Sequence, residues 1–232
     1  MKLSIIIPVY NEIKTIEKII KKIHKQSIKN FQIIVVDDFS TDGTREILES
    51  NIQLKINKII FHKKNQGKGS AIISAKKYIK GNIVIIQDAD LEYDPNDYKK
   101  LIKPILSKKT RVVYGTRVKK NNRYNSKNFI SLSRIFFNHV LTILSNILNN
   151  QKLTDAHTCY KVFDAKIFKK IKLEQEDFAF CPEVTSKLSK INEKILEVPI
   201  NYRGRTKAEG KKIGIIDGIR AIYVIFKYKF KL

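Results

Sequence analysis

The sequence predicts an α/β fold with a mostly parallel central sheet flanked by helices, and two observations carry that prediction. Short runs rich in Ile and Val alternate with stretches of helical periodicity, and most runs are apolar at nearly every position, as strands buried on both faces require. Polar residues cluster directly after four of the runs, at the strand ends where open α/β sheets bind their ligands.

The first strand is read at residues 3–8. Behind it Ile13, Ile16, Ile19, Ile20 and Ile23 recur at helical spacing, with Asn11 where an N-cap belongs. Further strands are expected at 31–37, 58–62, 83–87 and 111–114, and helices at 44–50, 69–80 and 96–107. Repeated strand–helix units of this kind give a twisted sheet covered on both faces. The later part is less regular: a basic, Asn-rich loop over 118–127, a long helix over 129–148, a strand over 194–200 and a basic loop over 203–212. An apolar helical pattern over 213–230, interrupted by Asp217 and Arg220, closes the chain. With no internal repeat and no linker, the expectation is one domain over 1–212 and a C-terminal amphipathic helix over 213–232.

Composition narrows the class. A chain of 232 residues, 43% hydrophobic and 9% aromatic, has the means to bury a sizeable core and is not a disordered polymer. Cys159 and Cys181 are too few for a disulfide framework and suit a reducing compartment. The histidines, His24, His62, His139 and His157, lack metal-ligand spacing. The apolar run at 3–9 is too short for a secretory signal, and no stretch reaches the roughly 18 apolar residues of a membrane span, so a cytosolic protein is expected. The net charge of +24 suits nucleic acid, an anionic membrane surface or a polyanionic substrate, although exposed lysines also serve solubility alone.

The strand ends carry the chemistry. They read Pro8-Val9-Tyr10-Asn11-Glu12, then Asp37 to Thr44 (D-D-F-S-T-D-G-T), Asn65 to Gly69 (N-Q-G-K-G) and Asp88-Ala89-Asp90-Leu91-Glu92. If the last segment stays extended, Asp88, Asp90 and Glu92 share a face, and carboxylates so close repel unless a cation joins them. Oxygen ligands of this kind suit Mg2+ or Mn2+. The plainer alternative is that Asp88 and Asp90 open a turn and cap the helix after Pro95.

Together with Tyr114-Gly115-Thr116-Arg117 and Val198-Pro199-Ile200 followed by Arg205 and Lys211, these motifs resemble the family 2 glycosyltransferases of GT-A fold, and among them the dolichol- or polyprenyl-phosphate sugar synthases. The resemblance implies that Pro8, Tyr10, Glu12, Val35 and Asp37 hold the base and ribose of a nucleotide-sugar donor. It further implies that Asp88, Asp90 and Glu92 surround a metal and the diphosphate, that Ala89 between them also belongs to the nucleotide-sugar site, and that Arg117, Arg205 and Lys211 lie near phosphate groups. Asp90, Arg117, Arg205 and Lys211 are the expected catalytic set. Glu92 departs from the pattern, since relatives often have Gln there. Asp155 matches a family motif too.

The acceptor is read from what is missing. Relatives that glycosylate hydroxyls carry an acidic pair near Phe180-Cys181-Pro182-Glu183, which is absent here. A phosphate monoester is already anionic and needs no base, so a polyprenyl phosphate is expected, with Glu183 as base for a glycan hydroxyl the alternative. Between 201 and 232 nine cations interleave with Ile, Tyr and Phe, the pattern of a helix lying on an anionic membrane surface, or else of a terminal helix packed on the core. A nucleic-acid-binding module is excluded as the main reading, because the strand-end carboxylates would repel phosphate. The expected place of work is the cytoplasmic face of a membrane.

Overall fold

The computed structural model describes residues 2–118, 129–205 and 215–230. Seven strands form one sheet in the order β3-β2-β1-β4-β6-β5-β7: β1 (Leu3–Val9), β2 (Phe31–Asp37), β3 (Lys58–Phe61), β4 (Ile83–Ile86), β5 (Val112–Thr116), β6 (Lys161–Asp164) and β7 (Ile195–Pro199). β1, β2, β3 and β4 are mutually parallel, β5 and β7 are parallel to each other, and β6 runs antiparallel to both its neighbours.

The strand period of two divides the Ile/Val runs between two cores. Ile5, Ile7, Ile33, Val35 and Ile85 face one side, packed by Ile16, Ile19, Ile20 and Ile23 of α1 (Ile16–His24) and Leu101 and Ile102 of α4 (Tyr98–Leu106). Ile6, Ile34, Val36, Val84 and Ile86 face the other, against Ala71 and Ala75 of α3 (Lys68–Lys76), Phe168 of α6 (Ala165–Lys170) and Val184 of α7 (Phe180–Lys190). Both faces are buried, which is why the strands read as continuous apolar runs. The remaining helices are α2 (Thr44–Ser50), α5 (Phe129–Asn149) and α8 (Ile215–Phe230); α8 packs on α5 and α7, with Ala179, Val224 and Tyr228 forming a small cluster of their own.

The structure departs from the sequence reading in several places, among them α6, which was not expected, and α3, which ends at Lys76 rather than at 80. β6 was not expected: Lys161-Val162-Phe163-Asp164 has two apolar residues between two charged ones, too short a run to register as a strand. α1 starts at Ile16 behind Thr15, and Asn11, with φ 52°, belongs to the preceding turn, its side chain accepting from Thr41 N at 2.8 Å. The segment after Pro95 opens with a 3-10 turn capped by Asp94, whose carboxylate accepts from Asn96 N at 3.1 Å, before α4 begins. Among the described residues no helix is long and apolar enough to cross a membrane.

Candidate active site

A cleft of about 330 Å³ opens at the carboxyl ends of β1, β2 and β4. Pro8, Tyr10 and Glu12 from the end of β1 line it, as do Asp88, Ala89 and Asp90 from the end of β4. Val35 and Asp37 do not. Val35 is buried in the core, and Asp37, two residues on and therefore on the same face, is fully buried as well. Its carboxylate accepts from Arg45 Nε at 3.0 Å and Nη2 at 2.8 Å, and from Ser40 N at 3.3 Å. The next residue, Asp38, reaches the cleft wall. Gln66 N and Gly67 N donate to it at 2.9 and 2.7 Å, and His62 Nδ1 lies 2.7 Å from Oδ1. The second ring nitrogen of His62 is 2.9 Å from Ser74 Oγ. Asp38 thus holds the loop that starts α3, and that loop delivers Lys68.

Among the described residues that line the cleft, Lys68 is the cation. Its ammonium is ion-paired with Asp88 and lies 3.1 Å from Cys159 Sγ. Burial disfavours the charged amine, but the Asp88 carboxylate outweighs it and holds the proton on. Asp90 is the group left in difficulty. Burial first, then the neighbouring Asp88 and Glu92 charges, push its carboxyl up to about 7. Its one hydrogen bond among those described is accepted from Glu92 N at 3.0 Å.

Glu92 stays near enough for its charge to bear on Asp90, but its own oxygens are engaged elsewhere. The chain turns at once after β4, with Leu91 in the left-handed region at φ 64°, so the extended alternation that would have put three acids on one face is broken. Glu92 accepts from Tyr202 OH at 2.8 Å and Arg205 N at 2.6 Å, tying the turn to the segment after β7. Among the described residues no three acidic, His or Cys side chains gather into a metal-ligand cluster.

The expected phosphate-binding arginines are both engaged. Arg117, after β5, forms a bidentate pair with Asp155, Nε to Oδ2 at 2.7 Å and Nη2 to Oδ1 at 2.8 Å, and lies 5.1 Å from the centre of the Tyr202 ring. Arg205 reaches across to Glu12, with Nη1 and Nη2 donating at 3.0 and 2.8 Å. Lys211 lies outside the described residues. Asp155, whose role the sequence left open, is the anchor of Arg117, and the Arg117 charge keeps its carboxyl low despite burial.

Glu183 is fully buried. Its two oxygens accept from Glu174 N at 2.8 Å and Gln175 N at 2.9 Å, and Lys187 Nζ donates at 2.7 Å. The loop it holds packs on the glycines before and within α3: Ser70 N donates to Glu176 O at 2.9 Å, and a Cβ on Gly69 would stand 2.0 Å from Gln175 O. The close approach allowed by Gly67 and Gly69 is to this loop, which in turn sets Phe178 in the cleft wall.

The profile described as glycosyl transferase family 2 matches residues 4–172, well over half of the chain. The chain belongs to glycosyl transferase family 2. Among relatives of this family 2 enzyme, an uncharacterised protein of Methanocaldococcus jannaschii is 27% identical over 98% of this chain and 92% of its own length. A dolichol-phosphate mannosyltransferase of Pyrococcus furiosus is 29% identical over 99% of this chain, which spans 65% of that protein. A UDP-N-acetylglucosamine–dolichyl-phosphate N-acetylglucosaminyltransferase of Methanococcus voltae is 29% identical over 97% of this chain and 95% of its own. In fold, the chain is similar to glucosyl-3-phosphoglycerate synthase of Mycobacterium tuberculosis, solved with Mn2+, UDP and phosphoglyceric acid, at TM-score 0.73 and 16% identity, over 98% of this chain and 78% of that one. The GT-A expectation is thereby met.

For a family 2 transferase the donor set fits a hard divalent cation in part. Asp88 and Asp90 offer carboxylate oxygens, the raised affinity of Asp90 for a proton marks a place short of positive charge, and Mg2+ is commonly held by one or two carboxylates with substrate phosphates completing its shell. Glu92, the third expected ligand, accepts from Tyr202 OH and Arg205 N, and among the described residues the three acids do not form a ligand cluster. Sequence reasoning named neither Asp38 nor Lys68 as site residues, although both lie in the motifs it quoted.

Proposed function

We propose that this glycosyltransferase moves a hexose from a nucleotide-sugar of GDP-mannose or UDP-glucose type to a polyprenyl or dolichyl phosphate, inverting the anomeric centre. The observation that carries the acceptor is the state of Glu183. Its carboxylate is spent on two backbone N–H groups and Lys187, away from the cleft, so the acid available for a hydroxyl-accepting relative's base is structural here. A phosphate oxygen attacks without losing a proton. The names of the Pyrococcus and Methanococcus relatives support the same acceptor class for this chain.

In this reading Pro8, Tyr10 and Glu12 face the nucleoside, joined by Asp38 in place of Asp37 and Val35. Asp88 and Asp90 hold Mg2+ or Mn2+, which supplies positive charge where the diphosphate leaves. Lys68 adds a fixed charge beside the same phosphates. Arg117, Arg205 and Lys211 meet the phosphates of donor and acceptor, Arg205 exchanging Glu12 for a phosphate as substrates enter. Residues 1–212 form the transferase unit and 213–232 an interfacial helix, working at the cytoplasmic face of an anionic membrane.

The test is direct: the purified protein is offered labelled nucleotide-sugars with a short polyprenyl phosphate or with free glycan hydroxyls, in Mg2+, Mn2+ or EDTA. Metal-dependent transfer to the lipid phosphate, with inversion seen by NMR, is expected. Transfer to hydroxyls alone, or an α-linked product from an α-linked donor, rejects the reading.

A further inference from the structure

Ten large apolar side chains stand exposed on two adjoining helices, each set spaced as a single helical face. On α5 they are Phe136, Phe137, Val140, Ile143 and Ile147, and on α8 Ile219, Ile222, Tyr223, Phe226 and Phe230. Intervening positions turn inward: Leu141, Thr142 and Ser145 of α5 and Ala221, Val224 and Ile225 of α8 are buried. The two helices pack on each other. Elsewhere among the described residues exposed large apolar side chains are scattered singly, as on an ordinary soluble surface.

Charge selects the occupant. The Ile135–Asn149 stretch of α5 contains no Asp, Glu, Lys or Arg, while α8 carries Arg220, Lys227 and Lys229 against Asp217. In a chain of net charge +24, a second copy seated here would bring its cations onto these. A surface that is apolar beneath and anionic above suits both features.

We propose that the α5–α8 face seats on an anionic lipid bilayer, with both stripes at the headgroup–acyl boundary and the α8 cations among the headgroups. The proposal deepens the acceptor assignment above and rests on it for its purpose. The face is also wired to the cleft. Tyr228 OH donates to Glu174 Oε2 at 2.9 Å and accepts from Gln175 Nε2 at 3.1 Å, and Arg220 is ion-paired with Asp177. Those residues belong to the loop that sets Phe178 in the cleft wall, so one loop separates the seated helix from the site of transfer.

The experiment is vesicle co-sedimentation of the whole chain, using phosphatidylcholine with or without about 30 mol% phosphatidylglycerol. The wild type should bind the anionic vesicles and bind the neutral ones far less. Phe137→Asp with Ile147→Asp on α5, and separately Ile222→Asp with Phe226→Asp on α8, should each lower partitioning about tenfold or more. Transfer to a short, water-soluble polyprenyl phosphate should be unchanged in the α5 variant. Lys227→Glu with Lys229→Glu, which touches no core position, reads the charge component if the α8 variant fails to fold. Absence of wild-type binding to anionic vesicles overturns the proposal, as does an α5 variant that binds like wild type. So does a wild-type dimer that the α5 variant splits while vesicle binding persists. In the wild type, no vesicle binding with soluble transfer intact strikes the face alone; vesicle binding without any transfer to polyprenyl phosphate strikes the acceptor assignment alone.

Discussion

Two groups of acids in this molecule are in opposite electrostatic states, and the less buried group is the worse off. Asp155 and Glu183, in the half of the sheet built from β5, β6 and β7 and their helices, are buried and each is met by a full set of donors and a cation. Asp88 and Asp90, at the end of β4, retain some exposure, yet burial and then the Asp88 and Glu92 charges push the Asp90 carboxyl up to about 7. Lys68 answers Asp88 but leaves Asp90 short of charge. A satisfied buried acid maintains structure, whereas a clustered and under-compensated one waits for a ligand.

The largest expected effect breaks the β4 side of that contrast. Asp90→Asn should lower transfer about a thousandfold, because the leaving diphosphate loses its counter-charge assembly. Its thermal midpoint should hold or rise, since a like charge has been removed beside Asp88 and Glu92. Full activity of the Asn variant in EDTA would dismantle the mechanism.

Glu183→Gln should do the reverse. The amide presents N–H groups where Glu174 N or Gln175 N already donates. Lys187 loses the nearer of its two charge partners among the described residues, keeping only Glu174 at 3.4 Å, so stability should fall by about 3 kcal/mol. At a temperature where the variant is folded, kcat/KM should stay close to wild type. A stable but inactive variant would return Glu183 to the role of base.

How much of this contrast was legible in the sequence depends on range. The strand runs and the acid-rich ends are local, and the periodicity predicted them closely: residues 31–37 and 44–50 are the observed β2 and α2. A one-residue question, Asp37 or Asp38, turns on which face of β2 each side chain takes, and the nearby Arg45 decides it. The turn at Leu91, a single left-handed residue that nothing in the motif announces, breaks the extended alternation, and the Glu92 oxygens meet Tyr202 OH and Arg205 N. Of the Glu183 partners only Lys187, four residues on, is local; the two backbone N–H groups arise from packing of the 174–178 loop on the α3 glycines and were not readable.

Three buried side-chain atoms, on His157, Thr158 and Ser186, lack a hydrogen-bond partner among the described residues, and the titratable one of them sharpens the comparison. His157 Nε2 is buried without a hydrogen-bond partner among the described residues, and burial, followed by the Lys161 charge, pushes the ring down to about 4. The unfolded chain takes up that proton near 6.5, so between 6.5 and 4 it binds more protons than the fold, and stability rises with pH across this window. From pH 7 to pH 5 the loss from this group should be about 2 kcal/mol. Urea midpoints at both pH values check it: His157→Gln should flatten the dependence, and an unchanged slope would remove His157 from the account.

The smallest effect belongs to Arg205, because its charge is already in use. The guanidinium is held by Glu12 through two hydrogen bonds, at 3.0 and 2.8 Å, and must give these up to reach a phosphate. A charge-assisted contact contributes roughly 1.5–3 kcal/mol, and the lost pair offsets part of it, so Arg205→Ala should cost about tenfold in kcat/KM. Glu12→Gln separates the two uses of the arginine. With the carboxylate neutralised, Arg205 is freer to meet phosphate, while any contact of Glu12 with the ribose is weakened. The variant should therefore raise the KM for the nucleotide-sugar yet keep or lower the KM for the polyprenyl phosphate. Equal damage to both constants would mean that the Glu12–Arg205 pair only braces the cleft, placing Arg205 with Asp155 and Glu183 on the structural side of the comparison.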